Sequence, residues 1–365
     1  MPSEPGPPPQ LKDWFDEARY RAIAAELTAI APKFDARVFL RLVLDGLEER
    51  TLMQRLIQCA AAVNEALPGS FQQKVRVLQK LAPKLGHEFV AIFLCDFVAV
   101  FGREHFDFSM EALRFFTVFG SAEFAVRPFI LADQELALKT LLQWARHPDE
   151  KVRRLASEGS RPRLPWGMRL QALVRDPRPT FAILEALKDD ESLFVRRSVA
   201  NHLNDITKDH PELVLQLLEG WDLEREHLRW IAKHACRTLI KRGHAGALRL
   251  FGFGKQAEVS AKLTASPTQL RLGERLTLAA SIVSTTRRPQ RLVVDYIVHY
   301  VKARGVSTEK VFKWTEVDLP ERGTLELIKS QVIRDFTTRK HHPGRHRVEL
   351  QINGQRVAEA AFVIE

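Results

Sequence analysis

The chain has 365 residues, 45% hydrophobic and 27% charged, with a formal net charge of +10. This composition predicts a globular protein of two domains, and the lack of any apolar run near the roughly 20 residues of a bilayer-spanning helix excludes a helical membrane protein. Residues 255–365 hold 19 Lys and Arg against 12 Asp and Glu, a surplus that fits a polyanionic partner or plain solubility charge.

In chain order, residues 1–10 are rich in proline and lack the basic and apolar regions of a secretory signal. They predict a disordered tail and a cytoplasmic protein. From 11 to 251 apolar residues recur at spacings of three and four between short Pro or Gly breaks, which predicts helix after helix and no strand pairing. Expected helices include residues 14–31, 36–48, 52–67, 71–85, 89–101 and 110–119. Further ones are expected over 134–146, 150–158, 166–174, 180–187, 192–207, 212–220 and 224–242. Cys59, Cys95 and Cys236 show no CxxC spacing and read as reduced core thiols. Residues 252–257 read as a linker. From 258 to 365 the pattern alternates with period two, and Asn353-Gly354 is a hairpin signal, so a β-sandwich of immunoglobulin-like type without its disulfide is expected. His341, His342 and His346 lack a partnering ligand set and read as a turn, so no metal and no cofactor are expected.

Lys151–Gly159 and Phe194–His202 open alike 43 residues apart, each with a Val-Arg-Arg core. On a 3.6-residue helix Arg197, Asn201, Asn204, Asp205 and Lys208 share a polar stripe, away from Val195, Val199, Leu203 and Ile206. Arg154 and Glu158 take the matching places in the first copy. The architecture predicted is mainly α: an α-solenoid of HEAT-like repeats followed by the sandwich. Arg153 and Arg196 suit structural repeat arginines that bond neighbouring loops.

The runs Ser121–Phe129, Val152–Trp166 and Val195–Pro211 together resemble the AlkC family of bacterial DNA glycosylases, and the basic C-terminal sandwich resembles that family's appendage. The resemblance implies a fold related to AlkD and base excision repair of small alkylation adducts, chiefly 3-methyladenine and 3-methylcytosine, without flipping the base into a pocket. It also implies duplex DNA carrying alkylated bases as partner and a nucleoid-associated setting. A monomer is expected, since no dimer seam is visible.

A ring-methylated base is cationic and leaves without protonation, so what remains is to stabilise an oxocarbenium-like sugar and orient a water. Asp205, Glu158 and Glu123 are the candidate carboxylates, one in each motif, with Asp205 expected foremost. Trp166 offers its ring face to the cation or sugar, or else staples a Pro-rich turn. Arg154 and Glu158 also fit a surface i,i+4 ion pair, and Asp205 fits solvated helix surface. Arg127, Arg154, Arg161, Arg163, Arg197 and Lys208, with Asn201 and Asn204, are expected DNA contacts. Arg287, Arg288, Arg339 and Lys340 are expected to add contacts from sandwich loops. The acidic trio separates an enzyme from the alternative, a non-catalytic HEAT scaffold that binds nucleic acid or protein.

Overall fold

The computed structural model describes residues 11–254, 256–302, 307–336 and 340–365. The expected tail over 1–10, Lys255 of the expected linker and Arg339 lie outside the described residues. Two compact units make up the chain, Met1–Asp209 and His210–Glu365. Texture changes from helix to strand between Leu250 and Val259, as read from the sequence, but the units part earlier, so the last four helices belong with the sandwich.

The first unit is helical: α1 (Glu17–Ile30), α2 (Ala36–Leu44), α3 (Leu52–Ala66), α4 (Phe71–Leu81), α5 (Glu88–Phe101) and α6 (Phe106–Phe116) lead into α7 (Arg127–Ala132), α8 (Gln134–Trp144), α9 (Glu150–Gly159), α10 (Gln171–Arg175), α11 (Phe181–Leu187) and α12 (Leu193–Ile206). α3 and α4 start at capping boxes, Thr51 with Gln54 and Ser70 with Gln73, which satisfy orphan amides reciprocally. α5 is apolar on nearly every side and runs through the core, with Phe93, Leu94, Phe97 and Val98 fully buried.

α9 packs on α8, α11 and α12. Val152, Leu155 and Ala156 of α9 and Val195, Val199 and Leu203 of α12 are fully buried, the larger ones stabilising by about 1.5–3 kcal/mol each. The repeat is visible atom by atom. Arg153 donates Nη1 to the carbonyls of His147 and Pro148, and Arg196 donates Nη1 to those of Asp190 and Glu191, the same offsets in both copies. Arg153 also grips the Asp190 carboxylate at 2.7 and 3.1 Å, tying one repeat to the next. Both arginines are structural, as expected.

Two expected helices are corrected. Residues 166–174 do not form one helix: Pro165 and Gly167 frame a turn closed by Gly167 N to the Leu164 carbonyl at 3.2 Å, and α10 begins only at Gln171. Residues 224–242 divide at Cys236 into α14 (Glu226–Ala235) and α15 (Arg237–Lys241), which follow α13 (Pro211–Glu219) and precede α16 (Ala245–Leu250). Among the described residues no helix is long and apolar enough to cross a membrane.

The strands are β1 (Val259–Ser266), β2 (Gln269–Leu270), β3 (Arg275–Ser284), β4 (Gln290–Val301), β5 (Ser307–Leu319), β6 (Thr324–Val332), β7 (Gly344–Ile352) and β8 (Gln355–Ile364). They form a three-stranded sheet ordered β1-β3-β6 and a five-stranded sheet ordered β2-β8-β7-β4-β5. One core joins them, with Leu278 and Ile282 from the first and Val298, Leu350 and Phe362 from the second. Asn353 and Gly354 turn the β7–β8 hairpin at φ 48° and 80°. This turn lies so close to Gly243 that a Cβ on Gly354 would stand 2.2 Å from the Gly243 Cα.

Candidate active site

The polar residues of α9 and α12 divide: Arg197 stays on the surface, whereas others face each other in a buried seam. Ser198, His202 and Asp205, spaced four and three along α12, are at most 3% exposed and meet Ser157, Glu158 and Arg161 of the α9 end. Asn204, expected at the DNA, is also buried, at 4%. Ser198, His202 Nδ1 and Asp205 each bond a partner at the α9 end, as burying polar atoms requires.

Ion pairs join the three carboxylates. Arg154 donates Nη1 to Glu123 Oε2 at 2.6 Å and has Nη2 3.6 Å from Glu158 Oε1. Arg161 donates Nη1 to Glu158 Oε1 at 2.6 Å and Nε to Asp205 Oδ2 at 2.8 Å. Lys208 donates to Asp205 Oδ1 at 2.9 Å. Ser121 donates to Glu123 at 2.6 Å, and Ser198 donates to Glu158 Oε2 at 2.6 Å. Burial works against the Arg161 charge, but Glu158 and Asp205 outweigh it and hold its pKa above the ordinary arginine value. Phe194 lays its ring under the Arg154 guanidinium, 4.6 Å from the centroid.

Of Arg127 and Arg161, both expected as phosphate or abasic-sugar contacts, Arg127 is corrected, since its side chain lies inside the protein, while Arg161, 7% exposed, stands at the cleft wall. Arg127 is fully buried and donates to the carbonyls of Met168 at 2.7 Å and Gly159 at 2.9 Å. Burial and then Arg161 push its pKa down to about 10. Gly159 permits this fit, because a Cβ there would stand 2.5 Å from Val126 Cγ1. Arg163 pairs bidentately with Asp209 at 2.7 and 2.8 Å. Arg197 and Lys208 are exposed and Asn201 half-buried.

Trp166 is 76% exposed and holds φ +63°, a left-handed backbone that a bulky residue adopts only under constraint. It stands at the mouth of a cleft of about 440 Å³. Leu52, Met53 and Leu56 of α3 with Phe89 and Ile92 of α5 form the apolar wall, and Glu123, Arg154, Glu158 and Arg161 form the polar one. Glu123 and Glu158 line the cleft; Asp205, expected foremost, sits behind Arg161 and is not among the lining residues. In the second unit Arg287, Arg288 and Lys340 are exposed, and Arg288 reaches within 3.8 Å of Glu258. His346 stacks on Phe362 and His341 bonds Asp335. No group of three or more His, Cys, Asp or Glu side chains among the described residues is arranged to hold a metal ion.

Sequence reasoning missed Ser157, Ser198, His202 and the α3–α5 wall. The spacing of Ser198 and His202 against Asp205 was the available signal, since all three fall on one helical line.

The family of DNA alkylation repair enzymes matches residues 109–239, and the family of YhaZ C-terminal Ig-like domains matches residues 259–365. A solved structure, the Pseudomonas fluorescens alkylpurine DNA glycosylase AlkC bound to DNA containing an abasic site analogue, is 48% identical, with a TM-score of 0.94 over 98% of this chain and 100% of that one. The protein YhaZ of Bacillus subtilis (strain 168) is 40% identical over 347 residues, covering 94% of this chain and 96% of its own length.

Proposed function

The chain belongs to the AlkC family of alkylpurine DNA glycosylases, and on that premise we propose that it hydrolyses the bond between deoxyribose and small cationic methylated bases, 3-methyladenine and 3-methylcytosine, in duplex DNA. One observation carries this reading: Glu123, Glu158 and Asp205, far apart in sequence, are joined through Arg154 and Arg161 beside one cleft with Trp166 at its mouth. A passive phosphate-binding groove gains nothing from three carboxylates, which repel the backbone it binds.

A methylated base departs as a neutral molecule, so the barrier lies in the positive charge that develops on the sugar. Carboxylates already fixed by ion pairs meet that charge without reorganising, which is the most effective form of electrostatic stabilisation. Glu158 and Glu123 act at the cleft wall, on the sugar and on the attacking water. Asp205 shares Arg161 with Glu158 and adds its charge from behind. Water is the nucleophile in this reading, and the enzyme is monofunctional. Trp166 presents its ring to the cationic base, and the base stays outside a dedicated pocket. Arg163, Arg197 and Lys208 serve the phosphates as a monomer engages duplex in the bacterial cytoplasm, with Arg287, Arg288 and Lys340 gripping from the sandwich loops.

The test is release of 3-methyladenine and 3-methylcytosine from methylated duplex by the purified chain. Glu158→Gln and Asp205→Asn are each expected to slow single-turnover release about a hundredfold, the scale of losing one preorganised group. No base release by the parent chain would leave a non-catalytic DNA-binding scaffold. Parental rates in both variants would remove the carboxylates from the mechanism.

A further inference from the structure

We infer that Arg127 and His202 are positioning residues that clamp the backbone on both sides of Glu158, an inference resting on the site reading above. His202 Nδ1 stands 3.0 Å from the Ser157 carbonyl, and Arg127 donates Nη1 to the Gly159 carbonyl at 2.9 Å. Glu158 is the residue between them. Both clamping side chains are fully buried, and each comes from a different helix, α7 and α12.

The last carbonyls of a helix lack intrahelical donors, and the local donors of α9 serve its end unevenly: Ser160 Oγ donates to the Ala156 carbonyl at 2.7 Å and stands 3.2 Å from that of Ser157, and the Ser160 and Arg161 amides both donate to that of Glu158, whereas the Gly159 carbonyl takes its donor from Arg127. Adding a fully buried guanidinium to such an end is costly. Arg127 shows what is gained, because its Nε donates to the Met168 carbonyl at 2.7 Å. One side chain therefore fixes the end of α9 and the loop that carries Trp166.

His202 acts as a neutral donor. Its Nδ1 faces a carbonyl and must carry the proton, while Nε2 has no hydrogen-bond partner among the described atoms. Burial and then the Arg161 charge push its pKa down to about 3, so the imidazole does not titrate between pH 5 and 9. A clamp of this kind sets where the Glu158 carboxylate sits without touching substrate.

The experiment measures single-turnover release of 3-methyladenine, DNA affinity and the pH–rate profile for the full chain and for His202→Leu, His202→Asn, Arg127→Lys and Glu158→Gln. His202→Leu is expected to lower the rate about tenfold to a hundredfold with DNA affinity unchanged, since a displacement near 1 Å has that cost. His202→Asn, whose side-chain amide donates from the Nδ1 position, is expected to recover most of the rate with the parental pH profile. Arg127→Lys, able to reach one carbonyl at a time, is expected to fall between, and it carries the test if His202→Leu does not fold. Parental rates in His202→Leu and Arg127→Lys beside an inactive Glu158→Gln would overturn the clamp alone. Equal losses in His202→Leu and His202→Asn with a shifted pH profile would also overturn it, in favour of proton transfer by the imidazole. A fully active Glu158→Gln would instead bring down the site reading beneath it.

Discussion

Asp96 should make the protein lose stability as pH rises. It lies in the middle of α5, 8% exposed, with Oδ2 lacking a hydrogen-bond partner among the described atoms, and burial raises its pKa from the ordinary 3.8 to about 7. The native state thus holds the Asp96 proton more tightly than the unfolded chain does. Its contribution is fully present below pH 3.8, declines as pH rises, and is lost above about 7. At about 1.4 kcal/mol per pH unit the whole loss is about 4 kcal/mol, of which about 3 falls between pH 5 and pH 8. Asp96→Asn removes the titration while keeping the shape. Urea unfolding of parent and variant at pH 5 and pH 8 isolates the effect, since every other titrating group cancels in the difference. The variant should gain about 3 kcal/mol on the parent over that interval. A difference constant with pH to within about 0.5 kcal/mol would refute the reasoning, and with it the neutral state of Asp96 in the core.

Other perturbations test the site and the hairpin. Arg161→Met removes the guanidinium that Glu158 and Asp205 share, leaving Asp205 to Lys208 and Glu158 to Ser198 and the more distant Arg154, and should cost about 3 kcal/mol in urea unfolding; adding Asp205→Asn should restore part of it, and full additivity of the two changes would contradict the pairing. Trp166→Ala should leave stability within about 0.5 kcal/mol, because the indole is largely exposed, yet slow base release about tenfold if the ring meets a cation; an unchanged rate would make the ring a packing element. Gly354→Ala forces a Cβ against Gly243 at a positive φ, so it should destabilise the second unit by at least about 2 kcal/mol, and a neutral result in thermal unfolding would show that the turn can move aside.

The helices and strands were legible because periodicity reports which face is apolar, and α9, α12 and the β7–β8 hairpin fall where their patterns put them. The same rule misled at the site. A polar residue on a helix reads as solvent-facing, but Ser198, His202, Asn204 and Asp205 are buried, and the line of Ser198, His202 and Asp205 meets Ser157, Glu158 and Arg161 at the end of a helix 40-odd residues away. The spacing along α12 marks the line, but which helix covers it is a tertiary fact that the spacing does not name. Arg127 failed for a related reason, since nothing in its neighbourhood announces that the end of α9 and the Trp166 loop bring two carbonyls to it. The three acidic residues were found through motif resemblance, whereas their linkage by Arg154 and Arg161 required coordinates.

Each Val-Arg-Arg core divides labour between adjacent side chains. The first arginine of each, Arg153 or Arg196, fastens loops through the same carbonyl offsets. The second points elsewhere: Arg154 reaches Glu123 and Glu158, and its counterpart Arg197 is exposed. Duplication of such a dipeptide hands evolution a staple that must be kept and a neighbour free to be recruited. Changes at Arg197 can therefore alter the grip on DNA without loosening the joint beside it.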